Sequence, residues 1–393
     1  MNLPSLPTSK VIGILAQEFL VNVGANDFLK NLIRGLNLIQ NLDIIFICPP
    51  HKSFSSNNIP LSHDLIEDEL RSFYKFYSEA CSRMRFIESV SDSESLLRLQ
   101  DIVGIDIFFP SIYKLSKPLK YITYWPDCQP KHYPQFFDDE SQLVRDKMIF
   151  DLLDSEMPMI INSAAAKLDM IKYYEADPRQ IFSLPFAPII EFSSFTSRPE
   201  LISGYNLPSN FFLVSNQFWI HKSVETVLET IRLGLDNGNS FNVVFTGRME
   251  EPRKPEYIDW IHSRVEQLNI SCNVMFLGYI PKSHQIEIMK LATAVIQPTL
   301  FEGGPGGGSV YDAISIGTRA IITDIEVNKE IAKSKSQVIY FTPKDHQMLL
   351  QCMIRFSREK WIFPCVEDLF QQSTHSCLSL ARTLVTVIKS LTH

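Results

Sequence analysis

Between residues 297 and 309 the chain reads Gln297-Pro298-Thr299-Leu300-Phe301-Glu302-Gly303-Gly304-Pro305-Gly306-Gly307-Gly308-Ser309, and five of its fifteen glycines fall within six consecutive positions. The apolar run Ala294–Gln297 precedes this segment. A short helical period follows it, with Val310, Ala313 and Ile314 on one face and Gly317 as the C-cap. Glycine admits positive φ and lets backbone N–H groups approach a ligand with no Cβ in the way. The start of a helix adds unpaired N–H donors and a partial positive charge. Gly303, Gly304, Gly306, Gly307, Gly308 and Ser309 therefore read as a phosphate cradle at the carboxyl end of a parallel strand. Carboxylates bracket the cradle. Glu302 opens the loop, and Asp312, about one turn into the helix, could accept two hydrogen bonds from a ribose diol. The same glycines would also suit a flexible loop that holds nothing. No Gly-Lys-Ser/Thr ends the segment, and no Gly-x-Gly-x-x-Gly follows the first strand, which disfavours a Walker-type loop and a nicotinamide enzyme.

A cation can be placed nearby. Asn216-Gln217-Phe218-Trp219-Ile220-His221-Lys222 follows the apolar run Phe211–Val214 and opens a helical period. A lysine in a first helical turn opposes the dipole, so Lys222 calls for an anion to offset it; a solvated lysine is the other reading. Arg248, in Thr246-Gly247-Arg248 after the next apolar run, could add a second positive charge.

These residues need elements to hold them. Candidate strands are Val11–Leu15, Ile44–Cys48, Ile105–Phe109, Tyr121–Tyr124, Met159–Ile161, Phe211–Val214, Val243–Phe245, Val274–Leu277, Ala294–Gln297, Ala320–Thr323 and Val338–Phe341. Several are nearly continuous in Ile, Val and Phe, as strands covered on both faces of a parallel sheet should be. Helical periods lie between them. In Asn26–Gln40, with Asn26 or Asp27 as N-cap, Leu29, Leu32, Ile33 and Leu36 share one face, and Val224, Val227, Leu228 and Ile231 repeat the pattern. The alternation implies an α/β chain with parallel sheets. A Pro-rich stretch without sustained period near 185–209 reads as a linker. The expected layout is two doubly wound Rossmann-like domains, 1–190 and 207–365, and a helix over 366–393. One large sheet with an insertion is the alternative.

Composition bounds the function. Of 393 residues, 45% are apolar and 21% charged, which excludes wholesale disorder. The formal charge of −7 offers no basic surplus for a dedicated nucleic-acid binder. The seven cysteines include no Cys-x-x-Cys pair, which argues against a disulfide scaffold and a zinc knuckle. The acidic runs Glu67-Asp68-Glu69 and Asp138-Asp139-Glu140 lack a strand-end Asp-x-Asp placement, so no metal site is expected. No apolar run is long enough to cross a bilayer, and the start is a poor signal peptide, so a cytoplasmic protein is expected. Arg71, Lys75, Arg83 and Arg85, interleaved with Phe73, Tyr74, Phe76 and Tyr77, suggest peripheral contact with the inner membrane face, or a packed helix with one wet side.

The run from Leu300 to Gly304, then Asp312-Ala313-Ile314-Ser315-Ile316-Gly317-Thr318 and Ile321–Ile325, resembles the donor-binding segment of family 4 retaining glycosyltransferases of the GT-B fold. The resemblance covers about residues 120–332. It implies two Rossmann-like domains facing across a cleft, with acceptor on the first, donor on the second, and the last helix crossing back to the first. It implies transfer with retention from a nucleotide-diphosphate sugar to a saccharide or lipid-linked saccharide of a bacterial surface polysaccharide or glycolipid. No cofactor or metal would be needed. In that family two glutamates flank the glycine loop. Glu302 matches the one near the donor sugar, and Asp312 best matches the one that holds the ribose. The second acid is Asp here, and nine residues lie between the pair, two more than the family has. Lys222 matches a diphosphate-binding lysine. Asn216 or Gln217 stands where the family has Arg, a gap that Arg248 could fill. Trp125-Pro126-Asp127-Cys128-Gln129-Pro130-Lys131-His132 is similar to a Trp-x-Pro-Asp-x-Gln-His segment of a bacterial branch, displaced at the histidine. Asp127, Gln129 and His132 would then bind donor or acceptor hydroxyls, although His132 equally suits a packed loop. Gly24, in Val23-Gly24-Ala25-Asn26-Asp27, is similar to the family's N-terminal glycine loop. A non-catalytic sugar-nucleotide-binding subunit and a GT-B nucleotide-sugar epimerase are the alternative readings.

Overall fold

The computed structural model describes residues 2–20, 23–48, 75–87, 89–190, 192–331 and 337–391. The chain divides into two compact units, one of residues 1–187 with 375–393, the other of residues 188–374.

The first unit is built on seven strands: β1 (Ser5–Leu15), β2 (Gln40–Cys48), β3 (Arg83–Phe86), β4 (Ile107–Ser111), β5 (Tyr121–Trp125), β6 (Met159–Ile161) and β7 (Ile181–Ser183). Their order is β3-β2-β1-β4-β5-β6-β7, and every neighbouring pair is parallel. Its helices include α1 (Val23–Leu36), α2 (Ser93–Val103), α3 (Gln129–His132), α4 (Asp139–Leu153) and α5 (Ala164–Tyr174). Leu29, Leu32, Ile33 and Leu36, the apolar face of α1, are all buried.

The second unit has six strands: β8 (Phe212–Ser215), β9 (Val243–Thr246), β10 (Val274–Gly278), β11 (Val295–Gln297), β12 (Ala320–Thr323) and β13 (Val338–Phe341). They run parallel in the order β10-β9-β8-β11-β12-β13. The connecting helices are α6 (Val224–Asp236), α7 (Tyr257–Gln267), α8 (Lys282–Leu291), α9 (Gly307–Ser315) and α10 (His346–Arg358). Successive strand residues point to opposite faces. Val214, Phe245, Ile296, Ile321 and Phe341 pack with Val227 and Ile231 of α6, Ile261 of α7 and Met353 of α10. Leu213, Val244 and Val295 pack on the other face with Ile286 and Met289 of α8 and Ala313 of α9. Both faces are covered, which is why these strands read as unbroken apolar runs.

The last helix, α11 (Val366–Ser390), counts with the first unit from His375 onward. Leu378, Ala381, Leu384 and Ile388 are buried there. A Cβ at Gly35 of α1 would come within 2.9 Å of Leu380, so the glycine admits close approach of the two helices.

The structure departs from the sequence reading at several elements: β1 and β2 begin earlier, at Ser5 and Gln40. The edge strands β3 and β7 are additional; β3 mixes Arg with Met and Phe, and β7 has three residues. α1 begins at Val23, not at Asn26. Asn26 caps nothing there, because its Oδ1 accepts the Tyr77 hydroxyl at 2.7 Å. Of the basic and aromatic stripe, Arg71, Phe73 and Tyr74 lie outside the described residues. Tyr77 is buried and stacked on Phe46, and Lys30 and Arg34 lie over the Phe76 ring, whereas Lys75 and Arg83 are exposed, so the described part has one packed side and one wet side. Among the described residues no helix is long and apolar enough to cross a membrane.

Candidate functional site

In the second unit the strand order reverses between β8 and β11, so the loops leaving their carboxyl ends diverge over the crevice where open α/β sheets bind ligands. The predicted site residues of this unit sit on those two loops. After β8 the chain runs through Asn216 and Gln217 into a single 3-10 turn, Ile220–Lys222, that ends ahead of α6. Lys222 is therefore in a separate turn before the helix and not in its first turn. After β11 the chain passes through Glu302 and the glycines into α9.

Four side chains join the loops. Lys222 Nζ donates to Glu302 Oε1 at 2.5 Å, with only about a tenth of either side chain exposed, 11% and 10%. Gln297, the last residue of β11 and fully buried, donates through Nε2 to the same Oε1 at 2.8 Å and to the Gly306 carbonyl at 3.2 Å. Asn216 Nδ2 donates to Gln297 Oε1. Every described bond to Glu302 thus ends on Oε1, and Oε2 has no hydrogen-bond partner among the described residues.

The glycines shape the turn beneath that pair. Gly306 (φ +67°) and Gly307 (φ +63°) are left-handed, and a Cβ on Gly307 would stand 3.2 Å from the Glu302 carboxylate. The Gly306 N–H donates to Asn328 Oδ1 at 2.7 Å, while Asn328 Nδ2 donates to the Thr323 carbonyl, which ties the turn to the end of β12. Gly307 N–H reaches the Gly304 carbonyl at 3.3 Å. Gly303 lies in the same turn, and around Gly308 the space is open, with no atom within 4 Å of the point a Cβ would occupy. No side chain caps α9. Ser309 Oγ is buried in its first turn with no hydrogen-bond partner. A buried hydroxyl without a partner is unfavourable, and an anion at the helix start would supply one.

The remaining predicted residues are placed differently. Asp312 binds Lys282 Nζ at 2.6 Å, at the start of α8. Arg248 is 3.7 Å from Glu250 and lies over the Tyr279 ring, while its carbonyl accepts the Phe218 N–H at 3.1 Å. Gly247 (φ +130°) lets β8 and β9 run on side by side, since a Cβ there would fall 1.9 Å from the Asn216 carbonyl oxygen and 3.1 Å from the Gln217 nitrogen. In the first unit, Asp127 Oδ1 accepts the Gln129 N–H at 2.9 Å and lies 3.6 Å from Arg145. His132 Nε2 is 2.7 Å from Asp169. Each is engaged by a partner of its own. Gln129 Nε2 is buried without a partner. Gly24 is exposed in the first turn of α1, within the helix and not in a loop before it.

Sequence reasoning missed Gln297 as a hub, Asn328, Lys282, and the acid and base behind Lys222. Glu251 is buried and accepts the Ile220 N–H and three Arg253 donors. Burial pushes its carboxyl up, but the Arg253 side chain and the two amides outweigh that and hold it below the ordinary range. Burial, and then the charges of Lys222 and Arg253, push the His221 imidazole far below its usual value, so it is neutral. A polar residue closing an apolar strand, as at Gln297, is the one signal that was open to reading. Among the described residues no three His, Cys, Asp or Glu side chains are grouped to hold a metal ion.

Residues 200–362, inside the second unit, match the family Glycosyl transferases group 1. No curated protein matches the chain. Solved structures match nearly all of it. The sucrose-phosphate synthase of Thermosynechococcus elongatus superposes with a TM-score of 0.63 at 13% identity, over 97% of this chain and 94% of that one. Anabaena HepE in complex with UDP and glucose gives 0.61 at 11%, over 97% and 96%. WaaG, a glycosyltransferase involved in lipopolysaccharide biosynthesis, gives 0.55 at 13%, over 95% of each chain. At such identities the likeness concerns the fold. The two doubly wound parallel units are those of GT-B glycosyltransferases, as the sequence resemblance implies.

Proposed function

We propose that the protein is a glycosyltransferase that moves a sugar from a nucleotide-diphosphate sugar to an acceptor hydroxyl with retention of configuration. The observation that carries this reading is the Lys222–Glu302 pair, set beside an uncapped, glycine-rich helix start at the topological switch point. A diphosphate seated there would meet the first N–H groups of α9, the Ser309 hydroxyl and the Lys222 ammonium. Lys222 would pass from Glu302 to the phosphate, and the Glu302 carboxylate, with Oε2 open, would turn to the sugar. As the bond from the anomeric carbon to the diphosphate oxygen breaks, charge gathers on the leaving group, where Lys222 and the α9 dipole offset it. The acceptor oxygen bonds to the anomeric carbon from the same face, and its proton goes to the departing phosphate oxygen. These groups do not require a metal ion for that step. Asp312, with Lys282, would hold the ribose, and Asp127 and His132 would contact donor or acceptor hydroxyls on the first unit.

UDP is the first donor nucleotide to test, because HepE is solved with UDP and glucose. The likeness to WaaG supports an acceptor among surface polysaccharides or glycolipids, saccharide or lipid-linked, and an enzyme working in the cytoplasm or at the inner membrane face. The test is a thermal-shift panel of UDP, ADP, GDP and their sugars, followed by transfer assays. Ligand at 100 times its Kd should stabilise the chain by about 2.7 kcal/mol. Loss of transfer in Glu302→Gln with nucleotide binding intact supports the reading. Unchanged transfer in both Glu302→Gln and Lys222→Ala refutes the site. Asn216 and Gln217 stand where an Arg is expected, which favours the binding-only subunit as second reading. Nucleotide binding without transfer to any acceptor extract would establish it.

A further inference from the structure

We propose that Glu251 is a positioning residue that sets both halves of the Lys222–Glu302 pair and thereby the grip on a diphosphate, an inference that rests on the transferase reading above. The Glu251 carboxylate is completely buried, its side chain 0% exposed. Burying a carboxylate is unfavourable unless its lone pairs are used, and here four donors use them. Oε2 accepts the Ile220 N–H and Arg253 Nη2, each at 2.7 Å. Oε1 accepts Arg253 Nε at 2.8 Å and the Arg253 N–H at 3.1 Å. Neither loop needs this carboxylate for the sheet, whose strands pair through their own backbones. What it holds is the single turn Ile220–Lys222, a short 3-10 segment of a kind with poor hydrogen-bond geometry of its own.

The hold reaches both charges. Arg253, aligned by Glu251, lies over the Trp219 ring and approaches His221 Nδ1 at 3.4 Å, so residues 219–221 are fixed from one side. From the other side the His221 carbonyl accepts the Leu300 N–H at 2.8 Å and the Thr299 hydroxyl at 3.3 Å. Thr299 and Leu300 lead directly into Glu302. One buried acid therefore locates the backbone of the lysine and, through the His221 carbonyl, the strand exit that carries its partner.

The test compares UDP with uridine, or ADP or GDP with its nucleoside if that diphosphate is the one that stabilises the chain. Glu251→Gln keeps the size but turns an amide N–H toward Arg253. It should weaken diphosphate binding about tenfold or more while nucleoside binding stays within about twofold, because only the diphosphate uses Lys222. In a Lys222→Ala background the same change should cost much less than it does alone. Glu251→Asp, which keeps two acceptor oxygens, should restore part of the loss and stands in for the Gln variant if that fails to fold. Equal losses for both ligands, or additive losses in the double variant, overturn the proposal. If the wild type binds no nucleoside diphosphate, the transferase reading fails by itself and amide hydrogen exchange decides the positioning role. Exchange should quicken at 219–222 and 299–302 in Glu251→Gln while β8 and β11 keep their protection. Unchanged exchange at 299–302 overturns the proposal.

Discussion

Lys222 and Glu302 are nearly buried, and each is the other's charged partner. Removing one of two such groups leaves an unmatched charge, which is costly. Lys222→Ala should therefore melt lower than the wild type and also lose the contact to the leaving group. A loss of ~2–4 kcal/mol in transition-state stabilisation is expected for either Lys222→Ala or Glu302→Gln, read as kcat/KM. Gly307→Ala tests the turn itself. Its φ of +63° and the carboxylate 3.2 Å from a new Cβ mean strain of about 1 kcal/mol in stability. Transfer should fall by more than that strain accounts for, because the methyl group presses on Glu302. His221 gives a pH signature. Its pKa lies far below the unfolded value, so above pH ~6.5 it is neutral in both states and contributes no slope. Below that, the unfolded chain takes up a proton that the folded chain refuses. Stability should drop by up to about 1.4 kcal/mol per pH unit on acidification from pH 6.5 to 5, and His221→Gln should flatten that slope in denaturant titrations.

At the scale of elements, the crossing of the loops after β8 and β9 depends on one glycine. A Cβ at Gly247 would overlap the Asn216 backbone, and its φ of +130° is almost closed to other residues. Gly247→Ala should cost on the order of 3 kcal/mol, seen as a lower urea midpoint, and should displace Asn216 from Gln297. The same scale explains what could be read in advance. The buried parallel strands are short apolar runs, so Met159–Ile161, Ala320–Thr323 and Val338–Phe341 were legible to the residue. The edge strands β3 and β7 were not, because β3 alternates Arg83 and Arg85 with Met84 and Phe86 and β7 is two apolar residues and a serine, so neither offers a continuous apolar run of the kind that marks the edge strands β10 and β13. The glycine turn and Glu302 were legible because their chemistry is local. Asn328, Glu251 and Lys282 were not, because each owes its role to a partner 22 to 31 residues away, which the fold alone brings near, and the link from Gln297 to Asn216 spans 81 residues.

At the scale of the molecule, the last helix serves the first unit. Deleting residues from 375 onward would strip Leu378, Ala381, Leu384 and Ile388 from that unit's interior. Each lost large apolar side chain is worth ~2 kcal/mol or more. The shortened chain should lose the melting transition of the first unit and retain that of the second, as resolved by calorimetry. The arrangement also bears on how the chain comes off the ribosome. The unit begun first lacks part of its interior until the whole of the other has been made, a wait of roughly ten to forty seconds at ordinary translation speeds. During that interval Gly35 and the apolar face around it have no covering helix. The first unit thus completes its interior only when the last residues of the given sequence are made, whereas every residue of the second unit is in hand by Thr374.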